Sequence, residues 1–166
     1  MKKIFGLIMI FAIVLTSCDG EDGRDGMDAP LPNVFEENVT FTYNADDNNW
    51  VSAVLDYNGT FDGDVFLVYL QQAGTNVFVP LPFTIYDDQG EFQYQFNHNA
   101  NSVQLSIEGD GDISNLAVNR TDNLLVRVAI LPAALAQDFG PEDLANYSTM
   151  MKAIDASESD IQFLNR

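Results

Sequence analysis

Gly90-Glu91-Phe92-Gln93-Tyr94-Gln95-Phe96-Asn97-His98-Asn99-Ala100-Asn101-Ser102-Val103-Gln104-Leu105-Ser106-Ile107-Glu108-Gly109 is the stretch that decides the fold class of this 166-residue chain. Phe92, Tyr94 and Phe96 alternate with Gln93, Gln95 and Asn97, and after a polar break Val103, Leu105 and Ile107 resume the alternation. A period of two puts every apolar side chain on one face, which is the pattern of a half-buried strand.

The same period runs outward in both directions. Val39, Phe41 and Tyr43 alternate with Thr40 and Thr42, and Val51, Ala53, Leu55 and Tyr57 lead to the turn dipeptide Asn58-Gly59. Val65–Leu70 and Leu124–Leu131 are apolar on both faces, as strands covered on each side are. Asn76–Tyr86 is strand-like, yet Pro80 and Pro82 remove ladder donors and confine it to an edge or a bulge. Turn signals at 46–49, 62–63, 73–74, 87–90 and 109–111 separate these runs. The expectation is an all-β fold: an antiparallel β-sandwich of about seven strands, immunoglobulin-like or jelly-roll-like. After Pro132 the period changes. Ala133–Asp138 reads as a helical turn or two. Gly140-Pro141-Glu142-Asp143 then opens a short C-terminal helix over 141–155, with Leu144, Tyr147, Met151 and Ile154 on the face packed against the sandwich. Ile161–Leu164 adds a last short strand.

The chain carries 25 acidic and 7 basic side chains, a formal charge of −18. A surface of that sign repels phosphate backbones, so nucleic acid is excluded as a partner. The N-terminus departs from this acidity. Lys2 and Lys3 precede the uncharged, mostly apolar Ile4–Leu15, which is shorter than the roughly 20 residues a membrane-spanning helix needs. The run ends in Leu15-Thr16-Ser17-Cys18, which resembles a bacterial lipobox. The resemblance implies that residues 1–17 are a signal peptide and that Cys18 is the lipidation site, its acyl chains being the contact with membrane lipid. Cleavage would remove two lysines and no acid, leaving 5 basic against 25 acidic side chains. Attraction to anionic head groups is then absent, and the acyl chains must do the anchoring.

Residues 18–33 form an acidic tether in which Gly20, Gly23 and Gly26 recur every third position. Three collagen-like triplets without proline are too few for a triple helix, so the segment reads as a flexible spacer. Leader, tether and the later blocks Asp64-Val65-Phe66-Leu67-Val68-Tyr69 and Val126-Arg127-Val128-Ala129-Ile130-Leu131-Pro132 together resemble the small collagen-like surface lipoproteins of the Bacteroidetes. The resemblance covers most of the chain and implies one β domain, here 34–166, behind a lipid anchor. It brings no catalytic residue. Asp19, Glu21 and Asp22 also resemble the export signal of that phylum, which implies an outer-membrane protein displayed at the cell surface; the alternative is its periplasmic face.

Little in the body points to chemistry. With Cys18 used for lipid, nucleophilic catalysis would fall to hydroxyls beside His98, which sits in a polar, turn-rich stretch and reads as a solvated loop histidine. Gly-X-Ser-X-Gly elbows and glycine-rich phosphate loops are absent from the sequence. With 25 acids some carboxylate pair meets in any fold, so the chain is expected not to be an enzyme. Two binding readings remain. Glu108, Asp110 and Asp112 form an oxygen-rich loop that is the candidate metal site, for calcium, with Asn44–Asn49 as a lesser one; a plain acidic turn is the competing reading. Trp50, beside the turn at 46–49, is the candidate ligand-binding residue if its ring is exposed to stack on a sugar, and rim packing competes. The functional expectation is a non-catalytic structural or binding domain on a surface lipoprotein. Its alternative is a carbohydrate-binding accessory of a glycan-uptake system.

The anchor reading has a direct consequence. Cys18→Ala should abolish labelling by radioactive palmitate and leave unprocessed precursor, because the lipoprotein peptidase acts only on the lipidated form. Normal maturation of that variant would exclude the lipobox.

Overall fold

The computed structural model describes residues 31–88, 90–144 and 146–164. The expected signal peptide, the expected lipidation site Cys18 and the part of the expected tether before Leu31 lie outside the described residues. Two sheets face each other across one core. The first has five strands in the order β11-β1-β10-β5-β6, where β1 is Asn33–Val39, β5 Val65–Gln71, β6 Phe78–Pro80, β10 Leu124–Leu131 and β11 Ile161–Phe163. The second runs β2-β3-β9-β8-β7, where β2 is Phe41–Asn44, β3 Asn49–Ser52, β7 Phe83–Asp87, β8 Gly90–His98 and β9 Ser102–Gly109; the short β4, Leu55–Asp56, pairs with β9 off that path. The all-β sandwich is therefore present, with every pairing antiparallel except that of β11 alongside β1.

The deciding hairpin holds its register, with Tyr94 opposite Ile107 and Phe96 opposite Leu105. Val103, Leu105 and Ile107 are fully buried, each contributing about 2 kcal/mol of apolar burial. Phe92 and Tyr94 join them against Phe66, Val68 and Leu70 of β5 and Val126, Val128 and Ile130 of β10. The other side of β5 and β10 is covered as well, since Tyr69 and Ala129 pack in a second cluster with Val34, Tyr147, Met150, Met151 and Ile161.

The described strands number eleven rather than seven because several runs that are continuous in sequence are divided in space. Val39 and Phe41 are both buried, yet the chain changes sheet at the exposed Thr40 between them. Alternation survives the break because both sheets share one core. Thr40 fastens the switch: its hydroxyl donates to Asp122 Oδ1 at 2.6 Å and accepts from the Asn123 amide at 3.2 Å. The run 76–86 divides likewise into β6 and β7 across the cis Leu81–Pro82 bond, one strand at an edge of each sheet. In 51–57 the phase slips. Ser52 is buried and Ala53 exposed, the reverse of the expected alternation, before Leu55 and Tyr57 return to the core. The Ser52 hydroxyl accepts from the Leu105 amide at 3.0 Å, so a polar residue takes the inward place where β3 leaves the ladder.

Three short helices follow β9 and β10 before the last helix: α1 Val118–Thr121, α2 Ala133–Ala136 and α3 Pro141–Leu144. The final one, α4 Tyr147–Ala153, means that the expected helix over 141–155 is two helices. Asn146 causes the break, because its extended backbone (φ −149°) stops one helix while its side chain accepts from the Thr149 amide at 3.0 Å and starts the next. The expected apolar face is kept. Leu144, Tyr147, Met151 and Ile154 all lie against the outer face of the five-stranded sheet.

Arg127 fastens this helical layer. It projects from β10 on the outer face, only 9% exposed. Its Nε donates to Glu36 on the neighbouring β1 at 2.7 Å, and its two terminal nitrogens grip Glu158 at 2.9 and 2.7 Å. The guanidinium also lies against two neighbouring rings, 4.1 Å from the centroid of Phe78 on β6 and 4.8 Å from that of Tyr147 on α4. Burial alone would make the guanidinium easier to deprotonate, but its hydrogen bonds to Glu158 and Glu36 outweigh this and hold its pKa up. Burial likewise pushes the Tyr147 hydroxyl up to about 12, with Arg127 pulling in the opposite direction. Arg127→Ala should therefore destabilise the fold by about 3 kcal/mol, because it leaves the carboxylate of Glu36, 13% exposed, without its cation. Glu158→Gln should cost less than about 1 kcal/mol, since that side chain is 68% exposed. Urea unfolding followed by fluorescence checks both, and equal losses would show that Glu158, not Glu36, carries the pairing energy.

Candidate functional site

β6 and β7 are edge strands of different sheets and are joined by one short link, so the two sheets part beside them. A cleft of about 380 Å³ opens there. Leu70, Val79, Phe83, Ile85 and Tyr94 form its apolar floor, and Gln71, Gln72, Thr75, Thr84 and Asn119 supply amides and hydroxyls around it. Leu70 and Tyr94 are buried, while Val79, Phe83 and Ile85 are partly exposed to the opening. The Tyr94 hydroxyl donates to the Arg120 carbonyl at 2.7 Å, tying α1 across the mouth to the six-stranded sheet. Arg120 lines the cleft, its guanidinium 5.9 Å from the centroid of the Phe92 ring. At the rim the Tyr86 ring is 74% exposed, and its hydroxyl is bonded to Glu91, whose negative charge raises the tyrosine pKa.

The described side chains lining this cleft include no carboxylate, histidine or cysteine. Amides, hydroxyls and one guanidinium suit recognition and offer no nucleophile with an adjacent base. Sequence reasoning did not find the cleft, because it is assembled from residues of β5, β6, β7, β8, α1 and β10. Two signals pointed toward it: Pro80 and Pro82 marked edge strands, and Arg120 is one of three basic residues in the described part of an acidic chain.

Trp50 lies elsewhere. Its half-buried ring packs on Tyr43 at 5.3 Å between centroids, and its Nε1 donates to the Ile113 carbonyl at 2.7 Å. Tyr43 donates to Asn48 Oδ1 at 2.9 Å, and Asn48 donates onward to the Gly111 carbonyl at 2.8 Å. Trp50 thus clamps the rim through its ring and its Nε1. These bonds bring the loop at 108–112 against the turn at 44–49, so the two oxygen-rich segments are neighbours in space.

Their carboxylates are not gathered into a ligand set. Glu108 is exposed and stands across from Gln93, and Asp110 is exposed beside it in a shallow hollow that also includes Glu91. Asp112 Oδ1 accepts from the Ser114 amide at 2.9 Å, and bonds from Ser114 hold its carboxyl below the usual range. Among the described residues no group of three or more His, Cys, Asp or Glu side chains is placed to hold a metal ion. Gly109 explains the tight path of this loop, because a Cβ there would lie 2.8 Å from the Glu91 carbonyl oxygen. His98 is the last residue of β8 rather than a loop residue, and its ring stacks on Phe66 with centroids 4.9 Å apart. Its exposed edge belongs to the sheet margin.

No family model matches the chain, and neither a curated protein nor a solved structure matches it.

The geometry of the acidic loop yields a sharp expectation. Asp112→Ala should lower the melting temperature by a degree or two through the lost turn bond, equally in millimolar calcium and in chelator at matched ionic strength. A wild-type melting point raised by calcium, and no longer raised in the variant, would instead make the loop an ion site.

Proposed function

We propose that the chain is a lipid-anchored, non-catalytic binding domain, held at the outer membrane through Cys18, carried to the cell surface on its acidic tether, with the inter-sheet cleft as its ligand seat. The observation that carries this reading is the character of the cleft. Ligand pockets run from about 300 to 1,000 Å³ and combine an apolar lining with a few polar groups that fix orientation. A volume of about 380 Å³ over Phe83, Ile85 and Tyr94, with amides and hydroxyls at the rim, meets both conditions. A lipid anchor followed by a spacer supports the same reading, since a domain of this kind works by presenting a seat away from the membrane.

A glycan-binding accessory role is the second reading, and Tyr86 favours it. Its ring is exposed at the rim beside Thr84, in place for a sugar ring to stack on.

The test is a titration of the full chain in nanodiscs, followed by backbone amide NMR, against a panel of small neutral and charged solutes that includes neutral oligosaccharides. The first amides to move should belong to Phe83–Tyr86 and Asn119–Arg120. An oligosaccharide response lost in Tyr86→Ala would select the glycan reading. Shifts confined to other parts of the domain would overturn the assignment of the cleft.

A further inference from the structure

Resting on the reading of the cleft as a ligand seat, we infer that its ligand is an extended peptide segment of a partner protein. The segment pairs with the free edge of β7, turning apolar residues inward and a basic residue toward Tyr86. The course of the cleft along the strand is the starting point. Successive side chains of a strand point to opposite faces, so a pocket on one face touches every second residue. This cleft touches Phe83, Thr84, Ile85 and Tyr86 in succession, and therefore runs along the edge of β7. On its other side β7 is paired with β8, and it ends the six-stranded sheet. A strand with one neighbour satisfies only half of its backbone groups, so every second N–H and C=O of β7 faces the cleft.

The described sheets end in β11, β6, β2 and β7, and β7 is the longest of the four at five residues. Proteins guard such edges with proline, charge or brevity. β6, across the cleft, has three residues and ends in Pro80. Phe83–Tyr86 contains neither proline nor charge and is built of the aromatic and β-branched residues that favour pairing.

Pairing defines the partner, because residues directly opposite one another share a face. Phe83 and Ile85 pack on the core, so the partner residues opposite them point inward to Leu70, Val79 and Tyr94 and must be apolar. The residue opposite Thr84 points outward, where Thr84 accepts from Gln93, and is polar. The one opposite Tyr86 meets a ring that is 74% exposed and whose hydroxyl is bonded to Glu91, directly across on β8. A lysine or arginine there lies on an aromatic face with a carboxylate beyond it. The formal charge of −18 favours the same sign and opposes a second copy of the chain as occupant. Continuing the antiparallel order of β8 and β7, the segment reads basic, apolar, polar, apolar from its N-terminus. Four extended residues span about 13 Å, the length of Phe83–Tyr86.

The probe is the peptide acetyl-Ser-Lys-Val-Thr-Val-Ser-amide. It is titrated by calorimetry into the full chain in nanodiscs, with empty nanodiscs subtracted, and hydrogen–deuterium exchange of the β7 fragment is followed by mass spectrometry. At saturation, exchange of β7 should slow at least fivefold. Two further peptides carry a single backbone N-methyl group, on the first valine or on the threonine. Adjacent amides point to opposite sides, so one methyl group should weaken binding at least tenfold and the other less than twofold. Replacing the lysine with glutamate should cost at least tenfold, and so should shuffling the same residues to Ser-Val-Val-Lys-Thr-Ser, which keeps the charge and loses the alternation. Equal binding of the parent and both N-methyl peptides would overturn the edge pairing and leave the cleft as an apolar seat. No binding of the parent, with a small solute still moving the Phe83–Tyr86 amides, would overturn the peptide alone; silence from both would remove the seat as well. Protection of β7 that rises with protein concentration in the absence of peptide would place a second copy on the edge and overturn the partner.

Discussion

Arg127 is the contact on which the layers of this protein depend. A single guanidinium joins β1 through Glu36, β6 through the Phe78 ring, α4 through the Tyr147 ring and the turn after α4 through Glu158. A cation buried on a sheet face would ordinarily destabilise a fold, because it loses its water. Two carboxylates and two aromatic faces replace that water here, and each comes from a different part of the chain. Folding the helical layer onto the sheet therefore completes the coordination of a charge that the bare sheet would leave exposed.

This arrangement makes the two outer faces of the sandwich unlike. The five-stranded sheet is covered by α4 and its apolar cluster, which is why β5 and β10 are apolar on both sides. The six-stranded sheet turns Gln93, Gln95 and Asn97 outward from β8, and Gln93 donates to Thr84 of β7 at 2.9 Å. Gln93 and Thr84 thus make a cross-strand amide–hydroxyl pair on that face. The opening between the sheets follows from the same asymmetry. β5 and β6 belong to the covered sheet, β7 to the uncovered one, and one short link cannot close the gap between their edges.

The acidic composition acquires a sense from this plan. Asp112 and Asp160 are each held below the usual range by hydrogen bonds from a serine, and Glu36 and Glu158 pair with Arg127. The cleft walls that are described hold no carboxylate.

Much of the fold was legible from the chain alone. Phe92, Tyr94, Phe96, Val103, Leu105 and Ile107 dictated a hairpin because period two leaves only one face to bury, and the doubly apolar Val65–Leu70 and Leu124–Leu131 announced cover on both sides. The helix start at Pro141 and the apolar row through Tyr147 and Met151 were equally local, and so was the lipobox resemblance at Cys18. What local pattern did not contain was which sheet each strand joins. Val39 and Phe41 look like one strand because both point at one core, and only the packing reveals that Thr40 divides them between sheets. The role of Trp50 was decided by a carbonyl 63 residues away, and that of Arg127 by Glu158 and Phe78, partners that no spacing rule relates to it. The cleft escaped the sequence for the same reason: Leu70, Phe83, Tyr94 and Arg120 become neighbours only once two sheets are stacked, and periodicity records the face a side chain takes without recording what it meets there.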